Sequence, residues 1–166
     1  GGGPGARDPA GVAGVSTPSF HTFATVSGRG PLVGMTAGRC FAGHAALLGC
    51  CDVIIATADS SIGMGGPAMI EGGGLGVYTP EEVGPAEVHR RNGVIDIFVK
   101  DEEEAIDACQ KYLSYFQGPI ENWEASDQRL LRHMIPENRL RAYDIDKVIE
   151  GVADQGPVLE PSPIPI

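Results

Sequence analysis

Two apolar stretches separated by a short run of small residues constrain this fold more than any other feature. Residues 31–37 and 52–58 are almost continuously apolar and have the length of buried β-strands. Between them, residues 42–50 form a short apolar segment that predicts a helix buried on all sides. A strand, a helix and a second strand in this order indicate a βαβ unit with parallel strands and two covered sheet faces. The chain is therefore predicted to be of the α/β class.

The rest of the sequence continues this alternation. Pro18 suits the first position of a helix that Ser16 or Thr17 can cap and that Gly28 ends. The further predicted elements are a short strand at 61–64, a glycine-rich connection at 65–80, a partly helical 81–91, a strand at 94–99, a helix after Asp101 and a short helix at 143–153. Residues 156–166 form a proline-rich tail.

Three consecutive glutamates follow Asp101. We interpret Asp101 as a helix cap and the glutamates as a solvated first turn favoured by the helix dipole, rather than as a metal site. The apolar face predicted for this helix comprises Ala105, Ile106, Cys109, Tyr112, Leu113 and Phe116.

Composition excludes several classes of function. The net charge of −10 over 166 residues leaves no basic stripe for nucleic acid. No apolar run approaches the roughly 18 residues that span a membrane, and no signal peptide is visible. The four cysteines lack metal-ligand spacing and are predicted to be core residues in a reducing compartment, which indicates a cytoplasmic protein. The opening Gly-Gly-Gly-Pro-Gly is typical of a loop after a strand, so we expect a piece of a longer chain.

The segment from Gly38 to Asp52 is the best candidate for chemistry. Small residues stand where a strand passes into a helix, and a helix start carries unpaired N–H groups with partial positive charge. Without bulky side chains in the way, those N–H groups can approach a developing oxyanion. The sequence contains no Ser-His-Asp or Cys-His pattern, so the chemistry is expected to rest on the backbone.

Five segments in the same order resemble the carboxyltransferase component of biotin-dependent acyl-CoA carboxylases, a branch of the crotonase superfamily. They are Pro4–Arg7, Gly38–Asp52, Gly66–Pro67 with Thr79–His89, Gly93–Val94 with the acid-capped helix, and Ile135–Asn138 with Tyr143–Asp144 and Val148–Ile149. Each motif alone is weak, but their shared order is specific.

The resemblance implies a crotonase-like spiral of ββα repeats, present only in part. Residues 1–118 would be the later part of the first carboxyltransferase half, 119–142 a linker, and 143–166 the start of the second half with its tail. An early region that helps to bind CoA and a complete second half would be missing. We therefore expect this piece to be inactive by itself.

The activity implied is transfer of carboxylate from carboxybiotin to the α-carbon of an acyl-CoA, through an enolate held in backbone oxyanion holes. The Gly43 N–H, with that of Ala42 close by, would be one donor, and the loop at Gly5 and Ala6 the opposing one. Substrate contacts would fall to Arg7, Gly65, Gly66, His44 and His89. No metal is implied.

The cofactors implied are biotin on a carrier and a coenzyme A thioester as substrate. The partners implied are biotin carboxylase, the biotin carrier and further copies of the chain in a homo-oligomer. The sequence leaves open the acyl chain length, the oligomer size and whether these components share one polypeptide.

The chain departs from the family pattern at several positions. Ala42 stands where glycine is usual and His44 where a small residue is usual, while Pro80 and Pro85 each replace a glycine. An insertion at 71–78 lengthens the loop that would face the substrate. These departures concern the acyl specificity more than the reaction class.

Less specific interpretations and other classes remain open. His44 is interpreted as a polar residue satisfied by nearby backbone, Cys40 as a core thiol, and His89 as either structural or functional. An enoyl-CoA hydratase or isomerase would need acidic residues by the oxyanion hole, where the sequence offers only Glu71. A non-catalytic assembly module is the third possibility.

Overall fold

The computed structural model describes residues 18–119, 121 and 123–155, which fall into two compact units that meet in sequence between Phe116 and Gln117. The elements of the first unit are α1 (Pro18–Ala24), β1 (Val33–Thr36), β2 (Arg39–Phe41), α2 (Gly43–Leu48), β3 (Val53–Thr57), β4 (Ser61–Gly63), α3 (Pro67–Gly72), a 3₁₀ helix (Pro80–Glu82), α4 (Ala86–Asn92), β5 (Ile97–Val99) and α5 (Glu102–Ser114). The second unit contains a 3₁₀ helix (Gln128–His133) and α6 (Ile145–Val152).

The main sheet has three parallel strands in the order β1-β3-β5. Val33 lies opposite Val53, and Ile55 lies opposite Ile97, so the apolar stretches pair as the βαβ interpretation predicts. An aspartate completes the ladder at the start of a strand: the Asp52 carboxylate accepts from the Leu32 N–H at 2.8 Å. The parallel α/β class predicted from the sequence is confirmed.

A second, two-stranded parallel sheet pairs β2 with β4. The chain enters it directly after β1 and again directly after β3. Between β3 and β4, the hydroxyl of Ser60 donates to the carbonyl of Thr36 at 2.9 Å and lies 3.0 Å from the hydroxyl of Thr57. These buried, satisfied hydroxyls fix the turn between the sheets, because a buried polar group without a partner is costly.

Helix α2 packs on the main sheet through one face. A Cβ on Gly34 of β1 would lie 2.6 Å from Cδ1 of Leu48, so this strand position has no room for a side chain. Ala45 and Leu48 are buried, whereas His44 and the following Gly49 are exposed. The prediction of a helix buried on all sides is therefore wrong: the apolar composition of α2 reflects tight contact on one face only.

The acid-capped helix begins as predicted but packs through a different face. The Asp101 carboxylate accepts from the Glu104 N–H at 3.1 Å, as a helix cap does. Its contact with the strands is made by buried Ala105 and Ala108. Ile106 and Phe116 of the predicted apolar face are exposed, because the helix turns its alanines rather than these larger side chains toward the strands.

Three other expectations need correction. The glycine-rich connection contains helix α3, which starts at Pro67 in the preferred first position. Strand β2 lies between the predicted strand at 31–37 and the predicted helix at 42–50, where no strand was predicted. Among the cysteines, Cys40 is buried, but Cys50 is exposed at the end of α2, and the other two are half-buried. All four are free thiols.

The second unit is small. Helix α6 starts at an Asp144 cap and agrees with the predicted helix at 143–153. A Cβ on the buried Gly151 would lie 2.9 Å from Leu131 and 3.0 Å from Met134, so glycine permits α6 to pack closely on the 3₁₀ helix. The predicted tail at 156–166 lies outside the described residues.

Candidate active site

The two strands of the second sheet end side by side, with Phe41 of β2 opposite Gly63 of β4. Each strand is then followed by a helix, α2 after β2 and α3 after β4. In parallel α/β sheets, ligands bind at the carboxyl ends of the strands, where loops and helix starts gather. We define the carboxyl edge as residues 41–43 and 63–66.

Ala42 has a backbone conformation that side chains rarely adopt. It is the single non-glycine residue with positive φ among the described residues, at φ 54° and ψ −119°. Its N–H donates to the carbonyl of Gly63 at 3.0 Å, and its own carbonyl accepts from Ala46 as α2 begins. The Ala42 N–H is therefore already bonded, which argues against its predicted role as an oxyanion donor.

Gly43 is the first residue of α2, and its N–H has no hydrogen-bond partner in the described part of the chain. A Cβ at this position would lie 3.3 Å from Cζ of Phe20 in α1, which is a tight contact. Glycine therefore keeps this helix start free of side-chain bulk. The Gly43 N–H, which was predicted as an oxyanion donor, is thus unpaired within the described residues. The preceding residue, Ala42, fixes the turn through its hydrogen bond to Gly63.

Gly65 and Gly66 belong to the same edge. The carbonyl of Gly66 accepts from Met69 at 3.0 Å as α3 begins, and a Cβ on Gly66 would touch the Phe41 ring at 3.6 Å. The structure thus brings these two predicted residues next to the end of β2. Gly63, whose carbonyl holds the Ala42 N–H, was not predicted, although a glycine closing a strand is a known signal of close backbone approach.

His44 lines a cavity of about 510 Å³. The cavity is bounded by α1, β1, β2 and α2 and lined mainly by apolar side chains, among them Phe23, Met35 and Leu47. Its volume lies within the range of about 300–1,000 Å³ that is usual for ligand pockets. The imidazole is exposed and makes no hydrogen bond within the described residues, so the interpretation of His44 as satisfied by backbone is wrong.

Arg39 also lines this cavity. Its guanidinium forms an exposed ion pair with Glu81 at 2.7 Å, which links β2 to the 3₁₀ helix at Pro80–Glu82. The hydrogen bond from Arg39 holds the pKa of Glu81 below its ordinary value. Both groups are exposed, so the pair orients the loop more than it stabilises the fold.

His89 is half-buried on α4 and faces β4 rather than the carboxyl edge. Its Nε2 lies 2.8 Å from the carbonyl oxygen of Ile62, and its Nδ1 lies 3.3 Å from the side-chain nitrogen of Asn92. Both ring nitrogens therefore have partners, which favours the structural interpretation of this residue.

The remaining candidates do not join the carboxyl edge. Gly5, Ala6 and Arg7 lie outside the described residues. Burial raises the pKa of the Cys40 thiol, which supports its interpretation as a core residue. Glu71 is exposed on α3. The described residues contain no cluster of three or more His, Cys, Asp or Glu side chains that could hold a metal ion, and no helix among them is long and apolar enough to cross a membrane.

A comparison with known families decides the assignment. Residues 5–163 match the carboxyl transferase domain. The chain belongs to this family. The match includes every described residue of the carboxyl edge and the helix α6 of the second unit, so the resemblance inferred from five motifs is confirmed.

Proteins similar to this carboxyl transferase domain include a subunit of a biotin-dependent carboxylase and a solved acyl-CoA carboxylase. The chain is 28% identical over 147 residues to the biotin-dependent 3-methylcrotonyl-coenzyme A carboxylase beta1 subunit of Mycobacterium tuberculosis, covering 81% of the chain and 28% of that protein. A solved single-chain, multi-domain long-chain acyl-CoA carboxylase is 56% identical with a TM-score of 0.83, covering 98% of the chain and 16% of that chain.

A solved transcarboxylase 12S hexamer with methylmalonyl-coenzyme A and methylmalonic acid bound is 26% identical with a TM-score of 0.71. That alignment covers 86% of the chain and 30% of the 12S chain. The present sequence thus spans less than a third of the length of each of these relatives.

Proposed function

We propose that this domain is part of the carboxyltransferase of a biotin-dependent acyl-CoA carboxylase. The reaction is transfer of a carboxyl group from carboxybiotin to the α-carbon of an acyl-CoA. The observation that carries the proposal is the Gly43 N–H at the start of α2, which has no partner among residues 18–119, 121 and 123–155 and follows the turn fixed by the Ala42–Gly63 bond, in a chain of the carboxyl transferase family.

The chain's own contribution to this reaction is a backbone donor. Removing the α-proton of a thioester places negative charge on its carbonyl oxygen, and a preorganised N–H directed at that oxygen stabilises the charge. Carboxybiotin would supply the carboxyl group as CO2 by cleavage of its N–C bond, and the ureido nitrogen left behind would take the α-proton. Gly43 suits the donor role because no Cβ shields its N–H, and because the preceding turn is fixed before the substrate arrives. Gly5 and Ala6 are proposed as the opposing donor.

The cavity beside α2 is proposed to take part of the substrate. It adjoins Gly43 through His44, and its lining is apolar apart from His44, Arg39 and small polar groups. An acyl chain extending from a thioester at Gly43 would find apolar surface there. Gly65, Gly66, Arg7 and His44 are proposed as the substrate-contacting residues.

The larger arrangement is also a proposal. Two consecutive strand–strand–helix units, β1-β2-α2 and β3-β4-α3, support a partial crotonase-like spiral. Residues 1–118 would belong to the first half of the carboxyltransferase, 119–142 to a linker and 143–166 to the start of the second half. Biotin carboxylase, a biotin carrier and further copies of the chain are the proposed partners. The four free cysteines fit a cytoplasmic location.

The test is carboxylation by the intact protein, with its biotinylated carrier, of acetyl-, propionyl- and long-chain acyl-CoA. Gly43→Pro removes the N–H at the first helical position, where proline is tolerated. Gly43→Ala keeps the N–H and adds a methyl group near Phe20, so it controls for bulk. We expect Gly43→Pro to lower kcat by about 10²–10³-fold, the usual effect of losing one oxyanion donor, and Gly43→Ala to have a much smaller effect.

Two results would count against the proposal. If the folded wild-type protein carboxylates no acyl-CoA, the assigned reaction is wrong. If wild type is active and the alanine and proline variants lose activity equally, the Gly43 N–H is not the donor. Circular dichroism of each variant confirms that the fold is retained.

A further inference from the structure

Strand β4 is bordered on its outer side by a short antiparallel segment of the same chain. Ser61 and Pro85 form an antiparallel bridge. The Ala86 N–H donates to the Ser60 carbonyl at 2.8 Å, and the Ile62 N–H donates to the Gly84 carbonyl at 2.8 Å. Residues 84–86 therefore act as a third strand beside β2 and β4, up to the point where Gly84 turns away.

The next carbonyl along β4 is held by a side chain instead. The Ile62 oxygen accepts from Nε2 of His89 at 2.8 Å. Gly84 makes this possible: its φ is +62°, and a Cβ there would lie 2.0 Å from the Ile62 oxygen and 2.7 Å from Nε2 of His89. Because only glycine leaves this space open, the imidazole takes the place of a backbone donor in the ladder.

The tautomer of His89 follows from its neighbours. The Asn92 side-chain oxygen accepts from the Val94 N–H at 3.2 Å, so the Asn92 amide nitrogen faces Nδ1 of His89. That nitrogen is a donor, and Nδ1 must therefore accept. A neutral imidazole that accepts at Nδ1 carries its proton on Nε2, where the Ile62 carbonyl requires a donor.

The held carbonyl is one residue from the carboxyl edge. Ile62 is followed by Gly63, whose carbonyl accepts the Ala42 N–H at 3.0 Å. Ala42 in turn sets the direction of the Gly43 N–H through its backbone angles, φ 54° and ψ −119°. A bonded path thus runs from His89 through Ile62 and Gly63 to the turn that presents Gly43.

We propose that His89 is a positioning residue for the Gly43 N–H: it holds the Ile62 carbonyl and thereby the register of Gly63 against Ala42. It touches no reacting atom. The catalytic part of this inference rests on the proposed function, whereas the effect on the Ala42 amide does not.

The test compares three substitutions in the intact protein. His89→Ala removes the donor. His89→Gln places an amide nitrogen close to the position of Nε2, and His89→Asn carries the same group on a shorter side chain that does not reach. The first readout is hydrogen exchange at the Ala42 amide. We expect exchange to quicken by about tenfold or more in the alanine and asparagine variants, since a partly buried carbonyl loses its partner, and to stay near wild type in the glutamine variant.

The second readout is kinetic. Displacing an oxyanion donor reduces the stabilisation of the transition state more than it reduces substrate binding. We therefore expect kcat to fall about tenfold in His89→Asn, with KM for acyl-CoA nearly unchanged. His89→Gln should recover most of kcat. A merely structural role would instead lower the amount of folded enzyme without this division between kcat and KM.

The outcomes separate the two proposals. Unchanged Ala42 exchange in the alanine and asparagine variants, or equal damage from asparagine and glutamine, would overturn the role of His89. If His89→Ala does not fold, the asparagine–glutamine pair still decides. A wild-type protein without carboxylase activity would overturn the proposed function alone, because the exchange measurement remains interpretable.

Discussion

The amide nitrogen of Ala42 lies 3.0 Å from the carbonyl oxygen of Gly63, so the ends of β2 and β4 are joined by a backbone bond. The bond coincides with the one non-glycine positive φ in the described residues. Backbone conformations of this kind persist only where surrounding contacts enforce them. Here the enforced turn ends in the Gly43 N–H, which has no partner in the part of the chain that the structure describes, and this ties the strain at Ala42 to the candidate site.

Ala42→Gly should stabilise the protein. Unusual backbone conformations cost about 1–3 kcal/mol for a residue with a side chain. Glycine removes that cost but loses about 0.5–1 kcal/mol through its freer unfolded state. We therefore expect a gain of about 1 kcal/mol in the free energy of unfolding, measured with urea. Ala45→Gly, in the interior of the same helix, should destabilise instead, and a loss of similar size in both variants would refute strain at Ala42.

Gly84→Ala should destabilise the protein more than Gly28→Ala does. Both glycines have positive φ, at +62° and +76°, so both substitutions introduce backbone strain. A Cβ on Gly28 meets nothing within 4 Å, whereas on Gly84 it collides with the Ile62 carbonyl. We expect about 1 kcal/mol for Gly28→Ala and at least about 2 kcal/mol more for Gly84→Ala. Equal losses in urea titrations would show that β4 can move away from Gly84.

Asp101→Ala should lower the thermal midpoint in a pH-dependent way. The Glu104 N–H, and then the Lys100 side chain, hold the pKa of Asp101 below its ordinary value. A carboxylate with a lowered pKa stabilises the fold above its unfolded pKa of about 3.9, and this effect disappears as the pH falls through the folded pKa. The difference from wild type should stay constant between about pH 7 and 5 and shrink below about pH 4.

Asp101→Asn is the matched control for this measurement. Asparagine caps helices about as well as aspartate but does not titrate, so the midpoint difference between Asp101→Asn and Asp101→Ala should not change with pH. An alanine deficit that does not shrink in acid would assign the stabilisation to something other than the ionised cap.

Long or strongly signalled elements could be predicted from sequence. The apolar strands β1 and β3, the capped start of α5 and the helix α6 depend on local composition, and all four lie within about two residues of their predicted positions. Strand β2 has three residues and exists because it pairs with β4, some twenty residues away. A strand formed by such pairing shows no periodicity in the sequence, so no strand was predicted for this segment. Helix α3 was not predicted because glycines flank it on both sides, although Pro67 suits its first position.

The candidate site divides in the same manner. Small residues at a helix start pointed to the segment around Gly43, and the family resemblance implied the donor role of its N–H. The sequence analysis did not predict that the Ala42 N–H is bonded, nor that Gly63 and Gly84 contribute to the site. These features depend on how two strands pair, which the type of a single residue does not indicate. From the sequence, His89 was predicted to be either structural or functional. Only the two hydrogen-bond partners of its imidazole, the Ile62 carbonyl and the Asn92 amide, bear on this choice.

The imidazole at Ile62 also closes the outer side of β4 to strands of other molecules. An open strand edge offers unpaired N–H and carbonyl groups that recruit strands from other molecules and lead to aggregation. On β4 that side is occupied by Gly84, Ala86 and one histidine ring. Loss of His89 would leave one acceptor of a short strand available to neighbouring chains, so in concentrated solution solubility would fall before the fold is lost.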